Sequence, residues 1–343
     1  MSAIKNDPRI DPRIKAVFGK VSMGGSSDFE SREAALEAAN SERAIAARDM
    51  IKGFLARCDT EEIAPSKGLR ISDHSFSSSP DGNSVNIQFI RPDNNEVLPC
   101  VYYIHGGGMT TMSCYDGNYR AWGRILAAQG IAVAMIDFRN ALVPSSVPEI
   151  APYPAGLNDC VAGVKWLSES SHSLLIDAKR IVVAGDSGGG NLAIATALRL
   201  KREGAQKLLA GMYAMCPYIA GQWPSPQSPS STENNGLLLD LHNNQGRMIY
   251  GIEEFEKRNP LAWPGFASEK DLVGLVPTMI SVNECDPLRD EGINFYRLLM
   301  NAGVGAQCRQ VMGTIHAIEV FPIACPDISR ETAASIAHFC HTV

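Results

Sequence analysis

No run of this chain approaches the roughly 18 consecutive apolar residues that a membrane span needs, so nothing in it reads as transmembrane. The first 20 residues lack the apolar stretch of about 7–15 residues that marks a secretory leader. They mix Lys5, Asp7, Arg9, Asp11, Arg13 and Lys15 with two prolines instead, and a soluble, cytoplasmic protein is expected. Paired cysteine motifs are missing too: the nine cysteines are odd in number, scattered, and contain no C-x-x-C, which points away from a disulfide framework or a structural zinc site. There is no excess of positive charge. With 31 Lys+Arg against 37 Asp+Glu the net charge is −6 and the pI about 5.7, which argues against a nucleic acid or an acidic membrane as partner. No long internal period is present either, only the duplication Asp7-Pro8-Arg9-Ile10 and Asp11-Pro12-Arg13-Ile14, too short for a solenoid.

What is there is ordinary globular material: 343 residues, 45% hydrophobic and 20% charged, enough for one large domain or two modest ones. From Ser27 the pattern turns helical. Ser27 and Glu30 have capping-box spacing, and Ala47, Met50, Ile51, Phe54 and Leu55 form an amphipathic stripe that something must cover. Ser79-Pro80-Asp81-Gly82-Asn83 separates two strand-like runs and predicts a hairpin. Beyond it, apolar runs at 101–104, 131–136, 181–184 and 278–282 are each followed by a helical stretch. Strands apolar on both faces, each followed by a helix, predict an α/β fold with a mostly parallel sheet covered on both sides. The stretch 222–236, rich in Pro, Ser, Gln and Asn, breaks the alternation before a helical-looking 237–255. The expected organisation is an N-terminal helical cap over 1–69 and a catalytic domain over 70–343, with 222–255 as a cap insert.

Gly185-Asp186-Ser187-Gly188-Gly189 follows a strand and opens a helix, the setting in which G-x-S-x-G makes a sharp turn that exposes the serine Oγ. Chymotrypsin-like proteases share these letters, but they are all-β and follow the motif with strand, whereas Leu192–Leu198 is helical in pattern. Gly188-Gly189-Gly190-Asn191-Leu192-Ala193 also fits a degenerate dinucleotide fingerprint, against which no acidic residue follows a second strand at the expected spacing. His105-Gly106-Gly107-Gly108 ends an earlier strand, and its glycines allow main chain to approach an oxyanion; the N–H groups of Gly107, Gly108 and Gly188 are the expected donors. An elbow serine calls for an acid and then a histidine further along the chain. His316 falls in a loop after the strand-like 307–312, whereas His242 sits in the irregular insert and His338 and His341 in the last helix. Asp286, just past the strand at 278–282 and before Pro287, is the expected acid, with Glu284, Asp290 and Glu291 as rivals. Met109, Met112, Tyr115, Tyr119 and Trp263 are candidates for the wall of an apolar substrate pocket.

In this order, HGGG at 105–108, GDSGG at 185–189, DPLRDE at 286–291 and His316 resemble the bacterial hormone-sensitive-lipase-like carboxylesterases over more than half the chain. The resemblance implies an α/β-hydrolase core with a helical cap, Ser187, Asp286 and His316 as triad, and no cofactor or metal. Two departures stand out. Gly188 occupies a position where most members have alanine, and Ala317-Ile318 stands where many have Gly-Phe, which bears on the shape of the His316 loop. The expected reaction is hydrolysis of short- to medium-chain esters through an acyl-enzyme, with a small ester as partner; a homodimer is compatible with this reading. A non-catalytic receptor on the same fold would lack the base, and His316 argues against it.

Overall fold

The computed structural model describes residues 3–21 and 27–343; the parts of the expected cap at 1–2 and 22–26 lie outside the described residues. Eight strands form one sheet: β1 (Leu69–Ser77), β2 (Ser84–Pro92), β3 (Leu98–Ile104), β4 (Ala132–Asp137), β5 (Ile176–Asp186), β6 (Gly211–Met215), β7 (Thr278–Cys285) and β8 (Ala306–Ile315). Their order is β1-β2-β4-β3-β5-β6-β7-β8. The predicted hairpin pairs β1 with β2, and β2 runs antiparallel to β4; all later pairs are parallel. This is the α/β-hydrolase arrangement that the motifs imply.

The central strands are apolar on both faces because each face packs under helices. Cys100, Tyr102 and Ile104 of β3 enter one core with Leu192 and Leu198 of the helix Gly188–Arg202. The alternate residues Val101 and Tyr103 enter the opposite core with Trp122 of the helix Gly117–Ala127 and Ile336 of the helix Pro326–Thr342. The period of two along the strand thus divides one apolar run between two cores. Register then sets the functional edge. Ile104 lies opposite Gly185, Asp186 opposite Met215, and Cys285 opposite Ile315, so the strands finish side by side.

Three local expectations need correction. Ser27 caps nothing: the first helix after it, Arg32–Ala39, starts at Ser31, whose Oγ accepts the Ala34 N–H at 3.1 Å, and the next, Glu42–Ala56, starts at Ser41. The predicted stripe is covered only at its end. Leu55 is buried, but Met50 and Ile51 are 78% and 55% exposed, because only the last turn of that helix meets the start of Gly117–Ala127. The helix expected over 237–255 begins at Gln245, since Asn235 Oδ1 takes the Leu241 N–H and Asn243 Oδ1 the Gln245 N–H, holding the chain in turns. Strand β6 had no expectation; its five residues are too short to stand out before the Pro- and Ser-rich stretch. Among the described residues no helix is long and apolar enough to cross a membrane.

Candidate active site

Ser187 stands between β5 and the helix Gly188–Arg202 with φ 55° and ψ −119°, a left-handed conformation that costs a non-glycine residue of order 1–3 kcal/mol. Neighbouring backbone holds it there: its N–H donates to the Met215 carbonyl, and its own carbonyl accepts the Tyr218 and Asn191 N–H groups, each at 3.0 Å. A side chain at Gly189 would lie 2.0 Å from the Ile104 carbonyl oxygen, so only glycine lets the turn pack this closely on β3. The serine thus sits at the positive end of a 15-residue helix, which favours negative charge developing beside it.

The last paired residues of β7 and β8 are Cys285 and Ile315, and the next residue of each strand is Asp286 and His316. Register alone therefore delivers the two side chains together, with His316 Nδ1 2.8 Å from Asp286 Oδ2. A carboxylate there accepts an Nδ1–H, which leaves Nε2 as the basic nitrogen. The other Asp286 oxygen accepts the Leu288 N–H at 2.9 Å. Burial alone would lower the pKa of His316, but Asp286, with Asp186 and Glu319 beyond it, lifts it above the ordinary value. Ser187 belongs to the same edge: its N–H bonds Met215, and the following Cys216 has its Sγ within 4.8 Å of an Asp286 oxygen and a His316 ring nitrogen. Those three are the one group of His, Cys, Asp or Glu close enough to hold a metal ion among the described residues. Burial, reinforced by Asp286, Glu319 and Asp186, holds the Cys216 thiol well above its usual range and hence protonated.

The rival residues are occupied elsewhere. Glu284 accepts the Gly313 N–H at 2.7 Å, Asp290 pairs with Arg289 and accepts the Ser230 N–H, and Glu291 takes Ile219 N–H and Trp223 Nε1–H, each at 2.7 Å. Burial pushes the Glu291 carboxyl up to about 8 despite those bonds. His242, His338 and His341 are exposed. The His316 loop is held by Asn283, whose Oδ1 accepts the Ala317 N–H and whose Nδ2 donates to Thr314 Oγ1 and Glu319. Ala317 has φ 53°, so it adopts the conformation for which glycine is preferred.

Gly107 (φ 98°) and Gly108 (φ 63°) turn the other loop toward the serine, and their N–H groups donate to no protein acceptor among the described residues. A side chain on Gly188 would lie 2.5 Å from Met109 N and 2.7 Å from Gly108 N, so the loop rests directly on the residue after the serine. His105 anchors it: the ring stacks on Phe138 at 4.4 Å and Nδ1–H donates to the Gly106 carbonyl at 2.9 Å. Tyr119 acts as a strut. It is fully buried, accepts the Gly106 N–H at 2.7 Å and donates to Asp186 Oδ2 at 3.0 Å, while Tyr103 donates to Asp186 Oδ1 at 2.7 Å. That network ties the glycine loop to the residue before Ser187, and its long-range nature hid it from the sequence. Met109 is buried beside Gly188, Tyr115 reaches Asp73 on β1 at 3.1 Å, and Trp263 is buried among Tyr218, Tyr250 and Phe255. Met112 is half-buried, and its carbonyl accepts a hydrogen bond from Asn140 Nδ2 at 2.7 Å. A cavity of about 810 Å³ lies behind the loop at 219–228 and includes none of Ser187, Asp286 or His316 in its walls.

A mostly parallel sheet with a strained serine, an Asp–His pair and a glycine loop at one strand edge defines a hydrolase. Residues 101–320 match the alpha/beta hydrolase fold family, and the chain belongs to it, in the hormone-sensitive-lipase-like group. It is similar to the solved structure of esterase Est22, 69% identical with TM-score 0.98 and full coverage of both chains. Brefeldin A esterase, a bacterial homologue of human hormone sensitive lipase, is 34% identical with TM-score 0.86, over 98% of this chain and 94% of that one. Esterase LipI of Mycobacterium tuberculosis is 32% identical over 66% of this chain and 67% of its own length.

Proposed function

We propose that this carboxylic ester hydrolase works through Ser187 as nucleophile, His316 as general base and acid, and Asp286 as the group that holds the imidazole. The observation that carries the reading is the 2.8 Å contact between His316 Nδ1 and Asp286 Oδ2 at the strand edge where Ser187 adopts φ 55°. Ser187 Oγ attacks the ester carbonyl carbon while its proton passes to His316 Nε2. The N–H groups of Gly107, Gly108 and Gly188 stabilise the oxyanion. Collapse expels the alcohol, which takes the proton back from Nε2. Water, deprotonated by the same nitrogen, then attacks the acyl-enzyme and releases the carboxylic acid and free Ser187.

Two segments form the cap in this reading. Phe29 N–H and carbonyl bond the Asn244 side chain at 2.8 Å each, so the N-terminal segment and the insert act as one piece. Arg32 reaches the Ala141 carbonyl at 2.8 Å, beside the segment whose Ala141 N–H holds the Met109 carbonyl. Arg32 thus ties this cap to the segment that backs the glycine loop. All nine cysteines are free thiols, eight of them buried, which suits a reducing, cytoplasmic compartment. Replacing Ser187 by alanine tests the mechanism: turnover of an aryl acetate should fall by roughly 10⁴–10⁶, and near-normal turnover would refute it.

A further inference from the structure

The duplicated Asp-Pro-Arg-Ile builds the same clamp twice. In each copy the aspartate accepts the backbone N–H of its own arginine, at 2.9 Å for Asp7–Arg9 and 2.8 Å for Asp11–Arg13, and pairs with that guanidinium. The two arginines then part. Arg13 reaches Asp327 at the start of the last helix at 2.8 Å. Arg9 reaches Glu233 and, at 2.9 Å, Oδ1 of the fully buried Asn234. Asn234 relays the contact, since its Nδ2 donates to the carbonyls of Glu284 at 3.3 Å and Asp286 at 3.1 Å.

The same N-terminal segment grips the other strand. The Asp11 N–H donates to the Gly313 carbonyl at 2.9 Å, and the Gly313 N–H donates to Glu284 at 2.7 Å. Ile4, Ile10, Ile14 and Phe18 pack into one core with Cys285 and Ile315, the residues directly before Asp286 and His316. The ladder itself leaves room for such a device: β8 is the edge strand, and its register with β7 shifts between Asn283 and Cys285, just before the acid.

We propose that Arg9 and Asn234 are positioning residues that fix the acid turn at 284–286 against the histidine loop at 313–316. The proposal rests on the Asp286–His316 reading above. Neither touches the reacting atoms; they act by holding the strand ends whose hydrogen bonding runs out at Cys285 and Ile315. A loosened pair would reduce the fraction of enzyme with the imidazole correctly held, and would weaken the influence of Asp286 on His316 relative to that of Asp186 and Glu319.

The test uses full-length Arg9→Met, Asn234→Ala and, as the twin-clamp control, Arg13→Met, each measured for kcat, KM, the pH profile of kcat/KM and Tm with p-nitrophenyl acetate. Arg9→Met and Asn234→Ala should lower kcat by about tenfold to a hundredfold with KM nearly unchanged, the scale of a small misplacement of catalytic groups. Their acid limb should move down toward the ordinary histidine value of about 6.5. Arg13→Met should lower Tm but leave kcat and the limb in place. The proposal is overturned if Arg9→Met and Asn234→Ala change only Tm, or if Arg13→Met lowers kcat as much. Should Arg9→Met not fold, Asn234→Ala decides alone. A silent Ser187→Ala would instead show that the triad reading itself is wrong, whatever Arg9 does.

Discussion

Adding one methyl group at Gly188 should damage catalysis more than stability. The Cβ of Gly188→Ala would lie 2.5 Å from Met109 N and 2.7 Å from both Gly108 N and Gly108 Cα. Ordinary van der Waals contact begins at 3.4 Å, so the glycine loop must retreat by about 0.9 Å, the difference between 3.4 and 2.5 Å. All three contacts are backbone, and no side chain can swing aside to absorb the shift. The loop is also fixed from behind by Tyr119 at Gly106 and by Ala141 at Met109. Donors displaced by that much lose most of their contact with an oxyanion, and losing one such donor costs about 10²–10³ in kcat, or roughly 2.7–4 kcal/mol. We expect Gly188→Ala to lower kcat for p-nitrophenyl acetate by about 10², with a small effect on KM because the ground-state ester makes weaker use of the donors. The assay is steady-state kinetics, with circular dichroism to establish that the variant is folded. A folded Gly188→Ala with wild-type kcat would refute the reasoning, and would mean that the loop is free to adopt the setting that alanine-bearing relatives use.

Asp286→Asn should reduce kcat by about 10⁴ by favouring the wrong imidazole tautomer, whereas Asp290→Asn should disturb only the Arg289 and Ser230 contacts and cost far less; steady-state kinetics on both variants separates them. His316 must be neutral to accept the serine proton, and its pKa is raised, so kcat/KM should be lost as pH falls through a value above the ordinary 6.5 or so. A pH profile flat from about 5 to 8 would count against His316 as base.

The parts of the site legible in the sequence are those whose chemistry forces a local backbone shape. Ser187 needs glycine at 185, 188 and 189 for its turn to pack, and the other loop needs positive φ at Gly107 and Gly108, so both leave a signature in the local sequence. Asp286 and His316 stand out because each comes shortly after a strand-like run, 278–282 and 307–312, although nothing local shows that β7 and β8 are neighbours. Contacts between distant segments were not legible. Tyr119 has the spacing of an ordinary helical core residue, and its role depends on Asp186, 67 positions away. The Asp-Pro-Arg-Ile duplication was visible, but its partners Glu233, Asn234 and Asp327 lie more than 200 residues downstream. The stripe at Ala47–Leu55 misled because periodicity records which residues are apolar and not whether a neighbour covers them.

The central claim, that Ser187 Oγ becomes covalently acylated, is tested most directly by trapping the adduct. The protein is treated with diethyl p-nitrophenyl phosphate, released p-nitrophenol is counted, and the digested chain is analysed by mass spectrometry. The account predicts stoichiometric release and a diethyl phosphoryl group on the peptide carrying Ser187, with no adduct and no release from Ser187→Ala. An adduct on another residue, or complete inactivation with Ser187 unmodified, would contradict it.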